Sequence, residues 1–216
     1  MTPNGSSFSD DDLAPSPARC ACIVLAGGRS RRMGREKASL PFAGTTLLAH
    51  VIARVRPLVG EVVVVGAAAQ VVTIEGARVL RDPVPDEGPL PALALGLDAI
   101  TMPWAFALGC DTPFVRRSVL RALATEVAGA RAAIPRWEGR LQPLVALYHR
   151  ALAAPLAALV AAGERRLHVV ATRADVRIVP AERLAAHDPE GLSFVSLNTP
   201  EAYADALRRL ETDDDR

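Results

Sequence analysis

Lysine is nearly missing from this chain of 216 residues: of 25 basic side chains, 24 are arginines, and Lys37 is the one lysine. Side-chain amides are as scarce, limited to Asn4, Asn198, Gln70 and Gln142. Three cysteines cannot all pair, and no group of cysteines and histidines has zinc-site spacing. Cys20, Cys22 and Cys110 therefore read as buried thiols in a reducing compartment, which places the protein in the cytoplasm. No apolar run reaches the ~18 residues that a membrane-spanning helix needs. The first residues, MTPNGSSFSDDDLAPSPAR, lack a basic segment followed by an apolar one, so they do not read as a secretory signal. A net charge of +1 and 4% aromatic content give no broad basic, stacking surface, so no nucleic-acid partner is expected. There is no Gly-x-Ser-x-Gly elbow and no cysteine with an evident histidine partner, which argues against covalent catalysis. His50, His149, His168 and His187 have no acid or nucleophile at a suggestive spacing and read as surface or structural residues.

Half of the sequence is hydrophobic, enough for one folded unit of this size to bury about 70% of its unfolded surface. Residues 1–19 and 212–216 read as flexible tails, and residues 20–211 as one domain. Within it, short apolar runs without polar alternation recur at Cys22–Leu25, Glu61–Val65, Ala77–Leu80 and Trp104–Leu108. Such runs fit strands buried on both faces, as in a parallel sheet covered by helices. Further strands are expected near Ala132–Pro135, Leu144–Tyr148, Val176–Val179 and Phe194–Leu197. Thr45 or Thr46 caps a helix whose residues Leu47, Leu48, Val51, Ile52, Val55 and Leu58 fall on one face. Other helices are expected over Pro91–Ile100, Arg117–Val127 and Arg150–Ala162, with Pro155 kinking the last or delaying its start. Thr199-Pro200-Glu201 reads as a helix start, followed by Tyr203, Ala206, Leu207 and Leu210. The pattern predicts a doubly wound α/β domain.

In such a sheet, ligands bind beyond the carboxyl ends of the strands, so the residues after each strand matter most. The first such loop, Leu25 to Lys37, reads LAGGRSRRMGREK. Gly27 and Gly28 let the backbone approach a phosphate, and Arg29, Arg31, Arg32 and Arg35 add positive charge. Lys37 closes the loop with a compact ammonium suited to phosphate oxygens. The loop is neither a Walker A sequence nor G-x-G-x-x-G. Asp111, in GCDTPF, follows a buried strand and suits a divalent cation; it equally suits a helix cap or a turn. Asp82 precedes a proline and fits either a ligand contact or an Asp-Pro turn. Asn198 fits a site amide or a turn.

Together these residues resemble the molybdenum cofactor guanylyltransferase family of nucleotidyltransferases, over about Cys22 to Leu207. The signature Leu-Ala-Gly-Gly-x-x-x-Arg-Met-Gly-x-x-Lys stands at residues 25–37, with Arg32 as its arginine. Gly88-Pro89-Leu90, Cys110-Asp111-Thr112-Pro113-Phe114, Gln142-Pro143-Leu144, Gly163-Glu164-Arg165-Arg166-Leu167 and Leu197-Asn198-Thr199-Pro200-Glu201 follow in the family's order. The resemblance implies a single Rossmann-like domain with a mostly parallel, mixed sheet of the nucleotide-diphospho-sugar transferase type. It implies transfer of GMP from GTP to molybdopterin carrying molybdenum, with Mg2+ as cofactor and release of pyrophosphate. Leu25, Ala26, Gly27, Gly28, Asp82 and Gly88 would then line the nucleotide site. Lys37 would contact the phosphates, Asp111 would hold Mg2+, and Asn198 would face the pterin. Lys37, Asp111 and Arg32 would form the catalytic set. Transient contacts with cofactor-biosynthesis proteins or acceptor molybdoenzymes are expected, and contact with a membrane is not.

Three positions depart from the family's pattern: Gly66-Ala67 replaces an expected asparagine, Ala92 replaces a glycine, and Ser196-Leu197-Asn198 carries one asparagine where Asn-x-Asn is usual. The alternatives are a cytidylyltransferase acting on the same pterin, or a non-catalytic nucleotide-binding adaptor. The pair Gly27-Gly28 favours the guanylyl form, since the cytidylyl relatives read Leu-Ala-Ala-Gly there.

Overall fold

The computed structural model describes residues 15–26, 37–67, 74–82 and 88–213. The first strand, β1 (Cys20–Leu25), is buried at all six positions, and its alternate side chains enter two different apolar layers. Cys20, Cys22 and Val24 face one layer with Leu48, Val51, Ile52 and Val55 of α1 (Leu47–Val55). Ala21, Ile23 and Leu25 face the other, with Leu90, Leu93 and Leu97 of α2 (Pro89–Ala99). The strands β4 (Glu61–Ala67) and β6 (Trp104–Gly109) divide their side chains between the same layers. Burial on both faces removes the polar alternation of a half-exposed strand, which is why the runs are continuously apolar.

Among the described residues, eight strands form the main sheet. Beyond β1, β4 and β6, the strands are β5 (Arg78–Asp82), β7 (Ala132–Trp137), β8 (Arg140–Leu141), β9 (Val145–His149) and β10 (Val176–Pro180). Their order is β10-β7-β9-β6-β1-β4-β5, with β8 paired to β7. β1 runs parallel to both β4 and β6, while β9 lies antiparallel between β6 and β7. A separate two-residue hairpin, β2 (Pro41–Phe42) and β3 (Thr45–Thr46), leads into α1, whose start is capped by Thr46 Oγ1 accepting from Ala49 N at 3.2 Å. α3 (Arg117–Glu126) covers the layer of α1, and α4 (Ala153–Ala161) covers that of α2. α5 (Pro200–Asp213) packs Ala206 against Phe42, Leu47, Phe114 and Leu197.

The chain departs from the sequence expectations at several boundaries. α2 begins at Pro89 rather than Pro91, with Gly88 as its cap, and Pro89 fits a first-turn position that needs no N–H partner. Pro155 delays a helix: residues Arg150–Leu152 form a 3-10 turn, and Pro155 then lies in the first turn of α4. A 3-10 turn at Pro17–Arg19 and the run of α5 to Asp213 carry ordered structure into both segments read as tails.

Phe194–Leu197 is not a strand. Leu192–Phe194 forms a 3-10 turn, because the fully buried Asp188 carboxylate accepts the N–H groups of Leu192 at 3.1 Å and Ser193 at 2.7 Å. Arg116 Nε pairs with the same carboxylate at 3.2 Å, and Arg116 N donates to Ser193 Oγ at 3.0 Å. The segment is thus tied to the start of α3 instead of a sheet edge. Asp188→Ala would leave two N–H groups and a guanidinium without their charged acceptor. Removing charge-assisted bonds of this kind predicts a loss of about 3 kcal/mol in urea unfolding. An unchanged midpoint would show that the segment does not depend on this carboxylate.

Candidate active site

The sheet reverses its direction of winding at β1, whose flanking strands β4 and β6 are both parallel to it. This switch point opens a crevice beyond the carboxyl ends of the strands. There Cys110 N donates to Leu25 O at 3.0 Å, and Ala26 N donates to Val65 O at 2.8 Å. Leu25 and Ala26 therefore use these backbone groups to join three strand ends. Gly27, Gly28 and Arg32 lie outside the described residues.

Asp111 stands just past β6, in a turn held by Thr112 Oγ1 donating to Gly109 O at 2.8 Å. Its own carbonyl accepts Leu197 N at 2.9 Å, which ties the turn to the segment before α5. A Cβ on Gly109 would lie 2.5 Å from Asp111 Oδ1, so glycine here makes room for the carboxylate. Asp111 is not a helix cap, because α3 starts from Arg116 without a side-chain cap. His50 Nε2 lies 3.1 Å from Pro113 O and braces the same loop against α1. Burial lowers the His50 pKa from its ordinary value, which suits a neutral structural imidazole.

Lys37 opens a 3-10 turn, Lys37–Ser39, before β2. Its ammonium donates to Asp111 Oδ2 at 2.7 Å and to Asn198 Oδ1 at 2.6 Å. The Lys37 and Asp111 side chains are only 17% and 19% exposed. Asn198 sits immediately before the cap of α5, where Thr199 Oγ1 accepts Ala202 N at 3.2 Å. Three distant segments thus place a cation, a carboxylate and an amide oxygen at one point of the switch crevice.

Asn198 also lines a cleft of about 710 Å3, shared with Arg136, Arg140, Gln142, His168 and Phe194. Asn198 and Gln142 are the two side-chain amides among the described residues, and both lie on this cleft. Phe194 on its wall is backed by Trp137, stacked on it with ring centroids 5.1 Å apart. Gly191 is required beneath it, since a Cβ there would lie 2.2 Å from Trp137 Nε1. Composition gave no sign of this support, because one aromatic pair and a turn glycine carry no spacing pattern.

The remaining candidates lie apart from this point. Asp82 ends the edge strand β5, is 6% exposed, and is about 10 Å across the sheet from β1 at two strand spacings. Gly88 has φ of 99°, and a Cβ there would meet Arg165 O at 2.8 Å, while Leu90 N donates to the same oxygen at 3.3 Å. The Gly-Pro-Leu and Gly-Glu-Arg-Arg-Leu sequences therefore meet, and the second seats the start of α2. Hydrogen bonds from the Arg166 side chain and the Arg165 and Arg166 backbones hold the Glu164 carboxyl down at about 2. Ala92 is buried in the apolar layer of α2, so its methyl is part of the packing between helix and sheet. All three thiols are buried, and burial pushes the Cys20 thiol up to about 12, which makes it a poor nucleophile. Among the described residues, no three His, Cys, Asp or Glu side chains gather as a metal cluster. No described helix is long and apolar enough to cross a membrane.

Known proteins resemble this chain in sequence and in fold. Residues 22–178 match the MobA-like NTP transferase domain. A probable molybdenum cofactor guanylyltransferase of Chloroflexus aggregans is 37% identical over 185 residues, covering 83% of this chain and 89% of its own. One from Mycobacterium tuberculosis is 38% identical over 179 residues, covering 79% and 89%. The crystal structure of molybdopterin-guanine dinucleotide biosynthesis protein A from Archaeoglobus fulgidus superposes with a TM-score of 0.77 at 28% identity, covering 89% of this chain and 99% of that one. This chain belongs to the MobA-like NTP transferase family, within its molybdenum cofactor guanylyltransferase branch.

Proposed function

We propose that the protein transfers GMP from GTP to the phosphate of molybdenum-loaded molybdopterin, releasing pyrophosphate. The observation that carries this reading is the ammonium of Lys37 held between Asp111 and Asn198 at the switch point, on the rim of a roomy cleft. The names of the Chloroflexus and Archaeoglobus relatives support the identity of nucleotide and acceptor. An oxygen of the acceptor phosphate attacks the α-phosphorus in line, and the bond to the β-phosphate bridging oxygen breaks. The attacking phosphate is already anionic, so no strong general base is needed. The demand is electrostatic: two anions must meet, and charge develops on the transferred group. Lys37 meets this demand from the nucleotide side, and the cleft beside Asn198 takes the acceptor. Asp82, Gly88, Leu25 and Ala26, with Gly27, Gly28 and Arg32, belong on the nucleotide side of this reading.

The donor set also fits Mg2+. A carboxylate and an amide oxygen already converge on one cation, the Lys37 ammonium, at 2.7 and 2.6 Å. Mg2+ takes one or two protein oxygens of this kind and completes its shell with phosphates and water. Asp111 and Asn198 would hold it. Bound there, it would neutralise phosphate charge. The buried thiols support a reducing, cytoplasmic setting.

Pyrophosphate release with Mg2+, molybdenum-loaded molybdopterin and GTP, CTP or ATP in turn tests the reading. GTP-dependent release is expected. Preference for CTP would establish the cytidylyl alternative, and silence with all three would establish a non-catalytic protein. Lys37→Ala should lower turnover by about two to three orders of magnitude, the loss seen when one preorganised charge-stabilising donor is removed. Near-wild-type turnover would remove Lys37 from the phosphate chemistry. Gly109→Ala should separate site from fold. The added methyl displaces the Asp111 carboxylate, a mobile side-chain end, so thermal stability stays near wild type while turnover falls about tenfold, the effect of roughly 1.4 kcal/mol on the barrier. Equal losses of stability and activity would contradict that separation.

A further inference from the structure

We propose that Lys37 is a resident cation that keeps the metal position closed until a nucleotide arrives. The inference rests on the reading that nucleotide phosphates bind at the switch crevice. Asp111 Oδ2 and Asn198 Oδ1 are the two oxygens a hard cation would take here, and the ammonium of Lys37 contacts both. The oxygens cannot easily spread to admit a second cation. Their segments are joined by Leu197 N donating to Asp111 O at 2.9 Å, and Asn198 adjoins the capped start of α5. Lys37, by contrast, reaches the point on a long flexible stem from a short 3-10 turn. The mobile partner is therefore the lysine.

Two cations on one carboxylate repel strongly at this range, so ammonium and metal exclude each other. A nucleoside triphosphate changes the balance. Its phosphates give the ammonium a new anionic partner and give the metal its remaining ligands, so lysine departure and metal entry become favourable together. Coupling of this kind is reciprocal: nucleotide tightens metal, and metal tightens nucleotide. It also assigns Lys37 opposite effects on the two ligands. Losing the side chain weakens nucleotide binding but strengthens metal binding in the absence of nucleotide. A lysine that only contacts phosphates would show the first effect without the second.

Mn2+ alone is the probe, titrated into the full-length protein and followed by the loss of its free-ion paramagnetic resonance signal. Lys37→Met fills much of the lysine volume without charge, and Lys37→Gln serves if the methionine variant fails to fold, as judged by thermal unfolding. Without nucleotide, the neutral variant should bind Mn2+ at least tenfold tighter than wild type. Adding Asp111→Asn to that variant should abolish the gain. Wild type should gain comparable affinity for Mn2+ when a non-hydrolysable GTP analogue is present. Equal Mn2+ affinity of wild type and neutral variant would overturn the proposal, as would no tightening of wild type by the analogue. If the Mn2+ contrast and its nucleotide dependence hold but GTP gives no pyrophosphate with the acceptor, the exchange stands and the guanylyl-transfer reading falls.

Discussion

The ammonium of Lys37, shared between Asp111 and Asn198, is the contact around which the ligand-facing side of this molecule is organised. Its three participants come from the end of the first loop, the turn after β6 and the segment before α5, with Lys37 separated by 74 positions from Asp111 and by 161 from Asn198. No local propensity brings such residues together. The parallel pairing of β1 with β6 places the Asp111 turn beside the end of β1. The Asp188 carboxylate shapes the approach to α5, and the backbone bond from Leu197 to Asp111 sets the last few ångströms. The point of contact inherits its rigidity from strands buried on both faces.

Much of this architecture is written in local pattern. The continuous apolar runs of β1, β4 and β6 announce two-sided burial, and the structure sends alternate residues of each into opposite layers. The starts of α1 and α5 follow from short-range hydrogen-bonding rules, whereas α2 begins two residues before its expected start, seated against the distant Arg165 carbonyl. The absent strand has a specific cause. Phe194–Leu197 has the composition of a strand, but the buried Asp188 carboxylate binds the N–H groups of Leu192 and Ser193 just before it and fixes a turn there. That competition between local strand propensity and a side-chain acceptor is visible only in three dimensions.

The candidate site divides in the same way. Lys37, Asp111 and Asn198, which the structure brings into contact, each stand out in the sequence as an exception of type or position: a lone lysine, a carboxylate after a buried strand, one of few amides. The second rare amide among the described residues, Gln142, lines the same cleft as Asn198; it stood in the Gln-Pro-Leu motif of the resemblance without an assigned role. What escaped the sequence was the supporting structure. Gly109 leaves space for a carboxylate, Gly191 lies under an indole ring, and His50 braces the loop past Asp111. Each acts by shape at a single position, which no periodicity encodes. The Ala92 departure also changes meaning, since its methyl is taken up by packing in the layer of α2.

These constraints explain why a chain that uses arginine at 24 of its 25 basic positions has lysine at this one. Elsewhere a guanidinium serves well, as in the Arg116 pair with Asp188 or the Arg166 contacts to Glu164, where a planar fork meets a carboxylate. Between Asp111 and Asn198 the requirement is different. Two oxygens from two segments converge on a single atom at 2.7 and 2.6 Å, a geometry that suits a point charge with tetrahedral donors. A guanidinium spreads its charge over a plane and directs its N–H groups in fixed pairs, so it would satisfy one oxygen at the expense of the other. An ammonium also retains a third donor and a flexible stem, and can turn away from both oxygens toward an incoming anion. The rarity of lysine in the composition and the need for a compact, movable charge at the strand ends are one fact seen at two scales.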